Sequence, residues 1–352
     1  MSAVARKLSI IYSGSLGPNS TAAHRCRAIE RLGHRVVAFD SDPYQSSGTA
    51  LARSIRNRVL IGHLVRDYNR DLLAKAAAVK PDLIWFDKAA YLYPETLRAL
   101  RARGIYTVHF NIDNPFGPRR DPGRRLLLAT VPDFDLHLVQ RDVNLEDYRR
   151  AGARDVRLMR TAYEPTVHFP PQAGWSDTDR RYDAVYIGSP YDNRAEFLAA
   201  LATRPGVSFA IWGDHWRGRL PAAQAALWRG PAIYNDAYRE TMWRARICLA
   251  FVTHANHDDV AHKSFEIAAS GAFLLAEDTP GHRAHFAADR EAVFFRDVDE
   301  CAAMIQRYLP DEVARAAIAA AGRRRAETSG YSNDARIAPV LDYVATRLVA
   351  HR

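Results

Sequence analysis

The chain is short of three things, and each shortage closes off a class of protein. Among its 352 residues are only three cysteines, Cys26, Cys248 and Cys301, widely spaced and odd in number. That argues against a disulfide framework and a zinc cluster, and it makes the cytoplasm the expected location. No apolar run approaches the ~20 residues that a membrane-spanning helix needs. The first run, Leu8–Tyr12, follows Arg6 and Lys7 but soon meets Gly14, and is too short for a signal peptide. Lysine is the third shortage: five lysines stand against forty-four arginines in a net charge of +9. This excess shows no basic stripe interleaved with aromatics, which argues against a nucleic-acid partner. It leaves open a peripheral contact with an anionic membrane, at its inner face. Lys263 is the only lysine after residue 88, a compact point charge where arginine is the habitual cation.

What is present is ordinary in bulk and specific in pattern. Apolar residues make up 48% and charged residues 25%, the balance of a soluble globular protein whose length asks for two domains of about 150–180 residues. In the first half, strands are expected at Leu8–Tyr12, Arg35–Asp40, Leu83–Phe86, Tyr106–Phe110 and Leu136–Val139. Helical patterns lie between them at Thr21–Leu32, Asp67–Val79 and Pro94–Ala102. The second half repeats the idiom, with strands at Ala184–Ile187, Ser208–Trp212, Ile247–Phe251 and Phe273–Ala276. Its helices are expected at Arg194–Ala202, Tyr234–Ala245 and Ala261–Ser270. Such alternation implies βαβ units and parallel sheets. Tyr163–Gly174, with Pro165, Pro170 and Pro171, reads as a linker. The expected class is therefore α/β, with two Rossmann-like, doubly wound domains facing across a cleft, residues 1–165 and 166–334. A last helix over 335–352 carries Ile337, Val340, Leu341, Val344, Leu348 and Val349 near helical spacing, with Arg336 and Arg347 among them.

Several clusters carry candidate chemistry. In DDVAHKSFEIAASGAFLLAE, residues 258–277, a helix start offers orphan amides and a positive dipole end, a seat for phosphate. Lys263 stands one turn in and Glu266 three residues beyond, so that one constellation can hold phosphates and ribose hydroxyls together. Ser189 and Arg194, after the strand Ala184–Ile187, offer a second approach to a diphosphate. Trp212, at a strand end, either shapes a base pocket or packs in the core. In the loop after the first strand, Gly14 and Ser15 permit close approach to a ligand, although G-x-x-G is not the dinucleotide fingerprint and no GK[ST] follows. The alternative is a tight turn with Ser20 or Thr21 capping a helix. His109 and Asp113, at the end of another strand, suit a base or a hydroxyl acceptor; a packed strand histidine and a turn residue are the plainer roles. His254, His257, His262, Asp258 and Glu266 include spacings that metal ligands use, but no H-E-x-x-H occurs, and a polar cleft lining is the expected role.

The order and spacing of these segments resemble a known family. YSGSLGPNSTAAHRCRAIERLGHRVVAFDS, KPDLIWFDKAAYLYPETLRALRARG and PDFDLHLVQRDVNLEDYRRAGARDV look like the first domain of glycosyltransferases related to the CgeB spore-maturation proteins. YIGSPYDNRAEFL, YNDAYRETMWRARICLAF and KSFEIAASGAFLLAE resemble their donor domain. The resemblance implies a GT-B architecture in which the last helix crosses back to the N-terminal domain; a basic membrane-surface helix is the alternative. It implies a nucleotide-diphosphate sugar as donor substrate, an unidentified acceptor, and no cofactor or metal. It implies that Glu266 grips the ribose and that an acid separated from it by seven residues touches the donor sugar. Asp258 is at that separation, and Asp259 is the neighbouring choice. Arg194 and Lys263 would be the diphosphate pair. Retention of configuration is implied by resemblance alone; an inverting enzyme would need a base such as Asp113. A sugar-nucleotide epimerase and a non-catalytic envelope or assembly protein are the other functions to be weighed.

Overall fold

The computed structural model describes residues 6–60, 62–118, 123–172 and 175–350. They divide into two units, one running to Thr161 and resuming at Asn333, the other spanning Ala162–Ser332. The first unit is built on β1 (Ser9–Gly14), β2 (Arg35–Asp40), β3 (Leu83–Asp87), β4 (Tyr106–Asn111), β5 (Leu136–Val139) and β6 (Val156–Leu158). The order is β2-β1-β3-β4-β5-β6 with every neighbouring pair parallel. A parallel sheet is covered by helices on both faces, which is why β3 and β4 are buried along their whole lengths.

The second unit repeats the plan with β7 (Tyr182–Ile187), β8 (Phe209–Trp212), β9 (Trp228–Gly230), β10 (Ala245–Ala250), β11 (Leu274–Glu277) and β12 (Val293–Phe295). Its order is β12-β11-β10-β7-β8-β9, again all parallel. The chain leaves β7 towards β8 and β9 and returns on the other side at β10. That reversal is the point at which an open α/β sheet admits ligands beyond its strand ends. β10 begins two residues earlier than expected, because the helix before it stops at Trp243.

Two segments depart from their simplest readings. Residues 163–172 do not hang loose: Tyr163 bridges to Ser332, and Glu164 and His168 are buried. Gly174, the end of the expected linker, lies outside the described residues. The last helix, Asn333–Ala350, puts Ile337, Val340, Leu341, Val344 and Leu348 into one core with Leu8, Ile10, Cys26 and Ile29 of the first unit. Asp334 pairs with Arg31 at 2.7 Å. With each such side chain contributing about 1.5–3 kcal/mol on burial, that stripe is a core face rather than a membrane face, although Val349 stays largely exposed. His351 lies outside the described residues. Among the described residues no helix is long and apolar enough to cross a membrane.

Candidate functional site

Between β10 and β11 the chain forms the helix His262–Ala269. Because the two strands are parallel, its N-terminus stands at the carboxyl end of β10, beside the β7/β10 reversal. The cap residue is Ala261, which has no side-chain acceptor to close the first turn; its carbonyl accepts from the Ser264 amide at 3.0 Å. Lys263 is in that first turn, half-buried, with Nζ 4.9 Å from the centroid of the Tyr238 ring. Burial lowers its pKa, Glu266 acts in the opposite sense, and Arg194 lowers it further. An ammonium in such surroundings gains more from an added anion than one already paired in water.

Glu266 points inward from the same helix and is 6% exposed. The Tyr238 hydroxyl donates to Oε2 at 2.7 Å, and Oε1 lies 2.9 Å from His262 Nε2 and 3.5 Å from His168 Nε2. His168 Nδ1 accepts from the Glu164 amide, so its proton faces the carboxylate. Burial pushes the Glu266 pKa up, but His262, His168 and Lys263 together hold it well below the usual carboxylate range. The result is a buried, ionised acceptor. Asp258 and Asp259 both precede the helix, in the loop that leads into it, and are half-buried. Asp258 N donates to Thr253 O, and the Asp259 carbonyl accepts from the Thr279 hydroxyl at 2.5 Å. The histidines diverge: His254 pairs with Glu277 at 2.6 Å and His262 with Glu266. Among the described residues no three His, Cys, Asp or Glu side chains are grouped to hold a metal ion.

Arg194 has a different character from its expected role as an open phosphate clamp. Its guanidinium donates to Tyr186 Oη (3.0 Å), Ser189 O (3.4 Å), Val252 O (2.8 Å) and Thr253 Oγ1 (2.9 Å), while Nε is buried without a partner. Four of five donors are thus engaged by β7, the loop after it and the loop after β10, and the side chain acts as a brace between them. Ser189 contributes its carbonyl to that brace. Gly188 is required there, because a Cβ would come within 2.6 Å of Tyr186 Oη and 3.4 Å of Lys263 Cε. Trp212 packs edge-on against Tyr182, ring centroids 5.2 Å apart, and is half-buried. It is Trp216, fully buried, that secures the Gly188 loop, its ring N–H donating to Gly188 O at 2.7 Å.

The strand ends of the first unit hold a second set of charges. Asp87, 6% exposed, receives Tyr12 Oη and Arg25 Nε on one oxygen, each at 2.6 Å, and Arg25 NH2 on the other at 3.1 Å. A Cβ on Gly14 would sit 3.0 Å from Asp87 Cβ, so this glycine makes room for a carboxylate rather than for a ligand. Ser15 offers its carbonyl to Ser20 Oγ, and Ser20 caps the helix Thr21–Arg31, the plainer of the two readings of that loop. His109 corrects the expectation of a base, for it is fully buried and stacked on Phe134. His137 Nε2 faces the Val131 carbonyl and must donate; its Nδ1 therefore accepts from His109 Nδ1 at 3.0 Å, leaving His109 Nε2 buried with no partner. Burial, aided by the neighbouring ring, lowers the His109 pKa well below normal. Asp113 remains in reach of solvent and pairs with Lys88, Nζ to Oδ2 2.5 Å. Lys88 follows β3 in the left-handed backbone region (φ 58°), and with Asn111 and Arg124 the pair lines a small cavity.

Comparison with known proteins bears on the fold and on the second unit. Residues 194–342 match the family described as Glycosyl transferase-like, which takes in the Lys263 helix and most of the second unit. No curated protein matches the chain by sequence. Sucrose-phosphate synthase from Thermosynechococcus elongatus superposes over 98% of this chain and 100% of its own, with a TM-score of 0.70 at 15% identity. HepE of Anabaena, solved with UDP-glucose, gives 0.65 at 12% identity over 97% and 100% of the two chains. A trehalose-6-phosphate synthase gives 0.64 at 14% over 96% and 99%. The chain has the GT-B fold, two parallel sheets of six strands each with flanking helices. More particularly, its second unit carries a glycosyl transferase-like region.

Proposed function

We propose that the protein is a glycosyltransferase of the CgeB-related branch, moving a sugar from a nucleotide-diphosphate donor to an acceptor hydroxyl of a glycan, lipid or protein. The observation that carries this reading is one helix: its uncapped N-terminus, Lys263 in the first turn and the buried, ionised Glu266 stand together beside the β7/β10 reversal. Glu266 accepts from the ribose hydroxyls, and Lys263 and the first-turn amides face the diphosphate. Asp258 or Asp259 meets the donor sugar. As the bond from the anomeric carbon to the diphosphate breaks, charge grows on the leaving oxygens, and the fixed cation and amide dipoles stabilise it. The acceptor oxygen bonds to that carbon, with retention, and the acceptor's proton leaves with the departing phosphate. Arg194 serves by bracing the loops on either side. Asp113, with Lys88, takes part in acceptor binding on the first unit. The HepE complex with UDP-glucose supports the donor class, and the region that matches the transferase family supports the reaction. The protein works in the cytoplasm and needs no added metal, so a chelator should leave its rate unchanged.

The test is nucleotide release. The chain is incubated with a panel of UDP-, GDP-, ADP- and TDP-sugars, with and without candidate acceptors, and the free nucleoside diphosphate is measured. Acceptor-dependent release is the expected result. Conversion of the donor sugar without any acceptor would mean an epimerase, and binding without turnover a non-catalytic protein.

A further inference from the structure

One buried imidazole is set against the first turn of the Lys263 helix. After β11, Thr279 opens the short helix Pro280–His285 by accepting from the His282 amide. The His282 side chain is fully buried, with its ring stacked on Phe294. Nδ1 lies 2.7 Å from the Glu277 carbonyl, which can only accept, so the proton is on Nδ1. Nε2 is then a bare lone pair, and two groups reach it: the Ala261 amide at 3.2 Å and the Ser264 hydroxyl at 2.8 Å. Those two residues bracket Lys263 in the chain, one two positions before it and the other directly after. Thr279 extends the same grip to the preceding loop through the Asp259 carbonyl. The ring is therefore a template, supplied by the β11 loop, on which the start of the Lys263 helix is laid down. Only the unprotonated ring can do this, and burial lowers its pKa to about 4.

We infer that His282 is a positioning residue of the transferase: its Nε2 holds Ala261 and Ser264 and so fixes Lys263 and the first-turn amides in the direction of the diphosphate. This rests on the donor site proposed above, but it assigns a role to a fully buried residue that acts through its neighbours. Packing alone would make any ring of similar size adequate, whereas positioning requires an acceptor at Nε2.

His282→Phe and His282→Gln separate the two. Both variants are checked by thermal melting, then assayed for kcat, donor KM and acceptor KM. His282→Phe should lower kcat by about a hundredfold, the scale of a misplacement near 1 Å, with acceptor KM unchanged. His282→Gln, whose amide oxygen accepts at the same place, should recover most of that loss. If His282→Phe does not fold, Ser264→Ala, which deletes one of the two donors without touching the ring, decides the matter by a severalfold fall in kcat. A folded His282→Phe with wild-type kcat, a Gln variant no better than Phe, or a Ser264→Ala with unchanged kcat overturns the inference. A wild-type chain that neither binds nor turns over any nucleotide sugar is a different failure, that of the donor-site reading itself.

Discussion

The carboxyl ends of the two sheets use charge in opposite ways. In the first unit, Asp87 is closed in by Arg25 and Tyr12, and Gly14 is pressed against it, so the charges there neutralise one another inside the fold. In the second, Lys263 faces an aromatic ring rather than a carboxylate, at the mouth of an uncapped helix, while Glu266 is kept ionised beneath it. Arg194 shows the contrast within a single unit, for it is as cationic as Lys263 but its donors are turned onto loop carbonyls. A charge completed by its own protein makes structure; the proposed donor site rests instead on Lys263, a cation without a carboxylate against it at a strand-end reversal.

The sharpest way to break this comparison is to open the closed network. Asp87→Asn leaves Arg25 buried without its countercharge and should cost about 3–5 kcal/mol, seen as a lower denaturant midpoint. Nucleoside diphosphate affinity in the second unit should be unchanged. Replacing both partners, Arg25→Met with Asp87→Leu, should restore much of that stability, because the pair exists to satisfy itself. Wild-type stability in Asp87→Asn would mean that the network is not closed.

Next in size is Lys263→Ala. Stability should hold, while kcat falls roughly a hundred- to a thousandfold, the usual cost of one lost contact to developing charge. Lys263→Arg should recover little, because a broad planar guanidinium does not reproduce a compact point charge. Unchanged turnover in Lys263→Ala would remove the lysine from the site.

Arg194→Ala should show the reverse pattern. It strips donors from buried acceptors at about 1–3 kcal/mol each, and for a unit of this size melting should drop by about 2–4 °C for each kcal/mol. Donor affinity should change less than in Lys263→Ala. If instead Arg194→Ala keeps its melting point and loses turnover a hundredfold, it is the phosphate clamp that the sequence suggested.

The most gradual expected effect is in acid. Burial lowers the His137 pKa from 6.5 to about 4, and in the same core it holds His109 well below its ordinary value. The unfolded chain takes up protons that these rings refuse, so their contribution to stability is complete above pH 6.5 and is lost as pH falls towards 4. Each group contributes a slope of about 1.4 kcal/mol per pH unit at most. Between pH 6.5 and 5, hydrogen exchange should rise more steeply in the β4–β5 core than in the β1–β2 pair. Equal slopes would mean that the histidine pair does not set the acid limb.

How much of this could be read from the chain depends on the distance over which each feature is built. The parallel sheets were legible because short apolar runs alternate with helical periods. Lys263 was singled out because it stands alone among arginines, and Glu266 because it follows Lys263 by three residues on the same helix; their donor-binding roles belong to the proposal. The Arg25–Asp87 network joins residues 62 positions apart, and Arg194 meets Val252 across 58. No local pattern announces such partners; the sheet order creates them. His282 was passed over for the same reason, since the groups it serves lie on the other side of β11. The helices Asp42–Ser46 and Ala50–Val59 escaped for a different one. The first buries none of its residues, and the second leaves Leu51 and Ile55 exposed, so neither turns an apolar stripe wholly to a core. β9 and β12, three residues each, are too short for periodicity to register.

The central claim is that Glu266 receives the ribose of a nucleoside diphosphate, and calorimetric titration tests it most directly. The wild type and Glu266→Ala are each titrated with a nucleoside diphosphate and with its 2′- and 3′-deoxy forms, with Glu266→Gln as the less disruptive control. Charge-assisted contacts of about 1.5–3 kcal/mol each correspond to a loss of roughly 10- to 150-fold in affinity per bond. The account predicts that loss on removing either the carboxylate or the hydroxyl, with little further loss when both are gone, and an intermediate affinity for Glu266→Gln. Independent, additive losses would contradict it, leaving Glu266 a structural carboxylate held by Tyr238 and His262.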